Sequence, residues 1–326
     1  MTKYFGVALM IAACVAGQAE LRNTRTYGEM CDASAAVALD ENHFAVADDE
    51  GNTLRVYKRA EDLPTREFEI AKFLGNSKKT ESDLEGAARV GNRVYWIGSH
   101  GRGRDGKEEP HRQRFFATDI KGEKGRKLEP VGKPYTTLLK DLFADPRFKN
   151  SALQKSSLLS PKHQGGLNIE GMCGRASDGA VLIAFRTPVP DGKALILPLL
   201  NPDKVIRGEH ARFGDLITLD LGGYGIRDLA PDENGFLILA SATHGPHIFK
   251  LYYWDGKSGD PQVVSDERFE GWNPEALFRF PSDPPGVFQI LSDDGRHMGG
   301  GIPCKDFPKE QRRFRAGELH VDSLKR

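Results

Sequence analysis

The chain has 326 residues, enough for one large all-β domain or two ordinary ones, and its 46 Lys and Arg balance its 46 Asp and Glu. Zero net charge gives no electrostatic reason to expect nucleic acid or an anionic membrane surface as a partner. The nearest thing to a basic patch, Lys309, Arg312, Arg313 and Arg315, is broken by Glu310 and reads as a solvated segment.

Residues 1–19 read as an export signal: Lys3 is a small positive start, Val7 to Ala16 an apolar run, and Gly17-Gln18-Ala19 a small-x-small cleavage site. The run is too short to span a membrane, and no later stretch is a candidate span. Ile11-Ala12-Ala13-Cys14 also fits the pattern before a lipidated cysteine, so the product is either periplasmic or secreted, or a lipoprotein held by an N-terminal lipid anchor. Residues 20–326 then form a single domain.

A five-residue motif recurs along that domain. Its copies are Asp32-Ala33-Ser34-Ala35-Ala36, Asp83-Leu84-Glu85-Gly86-Ala87, Asn168-Ile169-Glu170-Gly171-Met172, Ile226-Arg227-Asp228-Leu229-Ala230 and Asn273-Pro274-Glu275-Ala276-Leu277. The third positions, 34, 85, 170, 228 and 275, are spaced by 51, 85, 58 and 47 residues. Periods near 50 belong to four-stranded propeller blades.

Short β-branched and aromatic runs follow each copy: 43–48, 54–58 and 66–71; 93–98, 114–120 and 127–131; 181–186, 194–200 and 215–221; 236–240, 248–254 and 262–265; 287–291 and 318–321. The last blade is one strand short, and Arg22 to Tyr27 would complete it from the N-terminus and remove the exposed edge. The expected fold is an all-β propeller of five blades, or six if the long interval hides one. That interval holds an insertion at 135–164, helical over Tyr135 to Phe143, which reads as a lid or a packing arm.

In a propeller, the start of each inner strand and the loop after each second strand share one mouth of the central channel. This gathers Asp83, Glu85, Glu170, Asp228 and Glu275, with Asn168 and Asn273, beside loops carrying Asp48-Asp49-Glu50, His100, Arg102, Arg186, His244, His247, Asp293 and Arg296. Crowded carboxylates repel unless something offsets their charge. A bound Ca²⁺ or Mg²⁺ held by Asp83, Glu85, Glu170, Asp228 and Glu275 would do so. The alternative is that each carboxylate accepts backbone N–H groups at a blade junction, the favoured role for Asp228 and Glu275. His100 would serve as acid or base, Arg102 and Arg186 would hold an anion, and His244, His247 and Arg296 would bind the rest of the ligand. The first blade has Ser34 in this register, which leaves four acidic positions and makes blades two and three the best-equipped side. Cys31 and Cys304, near opposite ends of a ring-shaped chain, are the expected disulfide, and Cys173 a buried thiol.

Ser82-Asp83-Leu84-Glu85-Gly86, Trp96-Ile97-Gly98-Ser99-His100-Gly101-Arg102 and Asn168-Ile169-Glu170-Gly171 resemble a bacterial family defined as domain of unknown function 3616, over nearly all of residues 20–326. The Asp-x-Glu-Gly start is also similar to that of phytase-like esterase propellers. This second resemblance implies a metal at the mouth that polarises a phosphate or ester and activates water.

Phosphate-loop, HExxH, GxSxG and CxxC signatures are missing from the sequence. The function read from the residues is therefore binding of a small anionic ligand, or of an envelope protein, at the carboxylate-lined mouth. The alternative is a metal-dependent hydrolase of phosphate or carboxylic esters.

Overall fold

The computed structural model describes residues 19–77, 80–122, 127–161, 165–245, 248–257, 259–265, 269–295, 302–321 and 324. Its twenty described strands form five four-stranded antiparallel sheets arranged as a ring. Strand β1 (Ala19–Gly28) comes first but belongs to the last blade. Blade one is β2 (Ala33–Ala38), β3 (His43–Asp48), β4 (Thr53–Lys58) and β5 (Arg66–Glu69). Blade two is β6 (Leu84–Val90), β7 (Arg93–Gly98), β8 (Phe115–Lys121) and β9 (Lys127–Tyr135). Blade three is β10 (Asn168–Gly174), β11 (Val181–Thr187), β12 (Lys193–Leu199) and β13 (Ile217–Asp220). Blade four is β14 (Gly225–Pro231), β15 (Phe236–Ser241), β16 (Phe249–Trp254) and β17 (Gln262–Ser265). Blade five is β18 (Pro274–Phe278), β19 (Val287–Ser292), β20 (Arg313–Val321) and then β1.

The first strand of each blade lines the axis: β2 touches β6 and β18, β10 touches β6 and β14, and β14 touches β18, so the inner ring is closed. The core lies between blades rather than on the axis. Val37 and Leu54 of blade one pack on Trp96 and Phe116 of blade two, while Ile97 and Phe115 on its other face pack on Ile183 and Leu195 of blade three. Middle strands are covered on both faces and read as continuous apolar runs, such as Val181–Phe185, where every residue is at most 1% exposed.

Closure follows the expected scheme. β1 pairs antiparallel with β20 from Ala19 opposite Val321 to Gly28 opposite Arg313. Tyr27 stacks on Phe314 at 5.3 Å and meets Phe44 and Tyr57 edge-on at 5.2 and 5.4 Å, while the Tyr57 hydroxyl donates to the Gly28 carbonyl. The Cys31–Cys304 disulfide joins the same seam, and Cys173 is a buried free thiol.

Helical turns are few. α1 (Ala71–Leu74) begins where the fourth strand of blade one was expected to end. The insertion holds α2 (Leu138–Ala144) and α3 (Ala152–Ser156), whose Leu138, Leu142 and Leu153 join Phe148 in the core between blades two and three. It is a packing arm over its described residues and hides no sixth blade. Among the described residues no helix is long and apolar enough to cross a membrane.

Candidate ligand site at the acidic channel mouth

Every inner strand carries a β-bulge at the same place. The residues flanking it pair normally with the second strand: Ala33 and Ala35, Leu84 and Gly86, Ile169 and Gly171, Ile226 and Asp228, Pro274 and Ala276. The unpaired residues between them are Ser34, Glu85, Glu170, Arg227 and Glu275. A bulge re-aims one side chain out of the ladder. Here four of these side chains, from four blades, come close enough at the axis to interact electrostatically. Ser34 instead donates its hydroxyl to the Leu84 carbonyl at 2.5 Å.

The repeat register is thus 34, 85, 170, 227 and 275, and the expected Asp228 lies one residue off it. Its carboxylate accepts from the Leu229 amide at 2.8 Å, the Leu277 amide of the next blade at 2.7 Å and the Met172 backbone. Burial pushes its pKa up even against these bonds. Asp228 is a junction residue, and Arg227 takes the axial position.

That exchange divides the mouth into two halves. On the side of blades three to five the charges are paired. Glu170 accepts from Asn168 at 2.7 Å and from Arg186 at 2.9 Å, and its other oxygen lies 3.5 Å from Arg227, which also pairs with Glu275. Burial raises the Glu170 pKa, but Arg186 and Arg227 outweigh it and leave the carboxyl below its usual value. Glu275 is pushed up to about 7 by burial, Asp293 and Glu170 in spite of Arg227.

On the side of blades one and two the pairing is incomplete. One carboxylate oxygen from each of Asp49, Asp83 and Glu85 lies within 4.8 Å of the others. Asp49 follows β3, Asp83 precedes β6 and Glu85 is the bulge residue of β6. Asp83 accepts from Ser99 and meets Arg112 at 3.1 Å. Among the described residues, no hydrogen bond or ion pair reaches the carboxylates of Asp49 and Glu85, and Asp49 Oδ1 is inaccessible and unpartnered. Burial, then neighbouring carboxylates, push both pKa values well above the usual range. Beside them Asp32 is hydrogen-bonded to Asp293 and is pushed up to about 9 by burial and that neighbour.

Seven carboxylates (Asp32, Asp49, Asp83, Glu85, Glu170, Glu275 and Asp293) therefore face three described guanidiniums, those of Arg112, Arg186 and Arg227. Asp83 and His100 also hold φ of 53° and 54°, a left-handed conformation that costs energy for a residue with a Cβ and is found preferentially at functional sites.

The other expected residues fall as follows. His100 is 3% exposed, its Nδ1–H donates to the Gly98 carbonyl at 2.9 Å, and burial drops its pKa to about 4, so the ring is neutral. Arg102 donates to the carbonyls of Ser157 and Gly106 and pairs with Glu108, tying its loop to the insertion. His244 is exposed beside Thr243. His247 and Arg296 lie outside the described residues. The structure thus joins Asp83 and Glu85 to Asp49, groups Glu170 with Arg186 and, through Arg227, with Glu275, and moves the uncompensated charge from blades two and three to blades one and two. Asp49 was expected at the mouth but not as a ligand, and Asp32, Arg112 and Arg227 were not among the expected site residues.

A family model described as protein of unknown function (DUF3616) matches residues 32–129 and 119–270. The chain belongs to this family. The DUF3616 match takes in the bulge residues Ser34, Glu85, Glu170 and Arg227 and the loop residue Asp49. Among curated proteins none matches significantly.

Solved structures similar to the chain include Myxococcus xanthus glutaminyl cyclase, at 13% identity and TM-score 0.49, covering 94% of this chain and 97% of that one. The WD40 repeats of RRP9 match at 9% identity and TM-score 0.46, covering 93% and 100%. Kuenenia stuttgartiensis hydrazine synthase matches at 8% identity and TM-score 0.41, covering 91% and 65%.

Proposed function

We propose that this protein is an exported binding propeller whose acidic mouth holds one divalent cation, calcium or magnesium, and through it a small anionic ligand. The observation that carries the reading is the cluster of Asp49, Asp83 and Glu85, three half-buried carboxylates with oxygens within 4.8 Å, two of which make no hydrogen bond or ion pair among the described residues. Half-buried carboxylates without such partners are costly, and a hard cation with oxygen ligands is the economical compensation. Water and the ligand's own oxygens would fill the rest of its coordination shell.

Arg112 and Arg186 stand at the same mouth and supply donors for an anion bridging from the cation. Export is supported by the Cys31–Cys304 disulfide, since such bonds persist in oxidising compartments. The hydrolytic alternative further requires a base beside the cation, and no observation favours it over binding.

The test is calorimetric titration of chelator-treated protein with Ca²⁺ and Mg²⁺, then with inorganic phosphate in the presence and absence of the cation. One cation per chain, lost in Asp49→Asn and Asp83→Asn, and phosphate binding only with the cation, are expected. A protein that takes up neither cation and gains no thermal stability from them would overturn the reading.

A further inference from the structure

The opposite end of the channel has the opposite character. There the second halves of all five inner strands surround a cleft of about 340 Å³, lined by Ala36 and Ala38 of β2, Ala87 of β6, Met172 of β10, Leu229 of β14 and Leu277 of β18. Three of these six positions are alanine. The small side chains leave room that leucines would fill, and a volume of this size falls at the lower end of the range of about 300–1,000 Å³ typical of small-molecule pockets.

One charged group on the rim is not neutralised by a direct ion pair. Arg89 donates from Nη1 to the carbonyls of Ala38 and Leu39, at 3.0 and 2.7 Å, and from Nε to the Gly91 carbonyl at 2.8 Å. No carboxylate among the described residues forms an ion pair with it. Asp40 acts on it only through space and is itself bonded to His43. Arg279, also lining the cleft, is held by Asp232 at 2.8 Å and by the Asp283 carbonyl.

We infer that this second mouth is a binding site for a small organic anion with an apolar body, a medium-chain monocarboxylate being the simplest member of the class. The tail lies among the alanines and Met172, and the carboxylate meets the outer face of the Arg89 guanidinium. The burial of apolar surface drives entry, and the charge-assisted hydrogen bond fixes the orientation. The site uses no residue of the acidic mouth, so it stands whether or not a cation binds there.

The test uses octanoate below its micellar concentration, titrated onto protein carrying ¹³C-methyl methionine. One octanoate per chain should bind saturably and shift the Met172 methyl resonance, assigned with Met172→Leu. Arg89→Gln should weaken octanoate about tenfold, the loss expected for one charge-assisted bond, while leaving octanol unchanged. Ala36→Leu should exclude both. Absence of saturable binding, a wild-type shift confined to other methionines, or octylammonium binding as well as octanoate would overturn the inference. The first and third of these readings need no variant to fold.

Discussion

Asp49 offers the sharpest single-residue test, because its effect on stability and its effect on binding have opposite signs. In the cation-free protein it is a half-buried carboxylate crowded by Glu275, Asp32, Asp83 and Asp293, with no ion pair among the described residues. Asp49→Asn removes repulsion and keeps the shape. It should raise the thermal midpoint of chelator-treated protein by a few degrees, since about 1 kcal/mol shifts a domain of this class by roughly 2–4 °C. The same variant should lose the stabilisation that calcium gives the wild type. Scanning calorimetry of both proteins, with chelator and with calcium, checks the crossover.

Asp32 predicts a pH dependence independent of the cation. Its folded pKa is pushed up to about 9, above the 3.8 of an ordinary aspartate, by burial, by Asp293 and by Glu50 and Asp48 nearby. Between those two values folding takes up a proton, so the stability gained from the protonated carboxyl is complete below the unfolded value and is lost as pH rises towards 9. Glu275, pushed up to about 7 among Arg227, Asp293 and Glu170, adds to the same slope at its lower end. Urea denaturation of chelator-treated protein from pH 5 to 9 should show falling stability in the wild type. Asp32→Asn, which can still donate to Asp293, should flatten the upper part of that curve.

At the scale of the element, the β-bulge explains which parts of the site could be read in the sequence. The intervals between motifs and the β-branched runs pointed to the five blades, and the Asp-x-Glu and Asn-x-Glu starts to Glu85, Glu170 and Glu275. Blade four was read one residue late because its acidic residue was matched to the acidic residues elsewhere. The better guide was the residue before the bulge, apolar in Leu84, Ile169 and Ile226, which aligns Arg227 with the glutamates. Asp228 then aligns with Gly86, Gly171, Ala276 and Ala35, positions pressed against the neighbouring blade. A Cβ on Gly86 would stand 2.9 Å from Met172 Cβ, and one on Gly171 3.0 Å from Asp228 Cα.

A carboxylate fits that slot in blade four by accepting amides of the adjoining blades. Asp49, placed at the mouth but not as a ligand, and Asp32, not read as a site residue, were undervalued for a different reason. Loop carboxylates beside glycine usually make turns, and only three-dimensional closure of the ring places these two against blades two and five. Asp228→Ala would leave buried amides without an acceptor, at about 1–3 kcal/mol each. Chemical denaturation should show a loss of several kcal/mol, while calcium binding to the folded fraction stays unchanged. Glu85→Gln should do the reverse, losing calcium and keeping the fold.

The whole molecule is a ring, and a ring depends on its seam. Two devices close this one between blades five and one: the β1–β20 ladder with Tyr27 in its aromatic cluster, and the disulfide that spans 273 residues of sequence. Tyr27→Ala removes a buried ring packed on Phe44, Tyr57 and Phe314, a change of the kind that costs about 3–5 kcal/mol. Replacing both Cys31 and Cys304 by serine should cost about 2–5 kcal/mol through the freed unfolded chain. If each device held only its own residues, the two losses would add. They should instead exceed additivity, because with the disulfide intact blade five stays near blade one after β1 loosens, whereas without it the ladder and its aromatic cluster are the remaining tether of the seam and their failure exposes the edge of β20 and the facing side of blade one together. A double-mutant cycle by urea denaturation measures the difference. Strict additivity would mean that ladder and disulfide act independently, and that the acidic mouth, whose Asp32 and Asp293 flank the same seam, is held in place by its own hydrogen bonds rather than by closure of the ring.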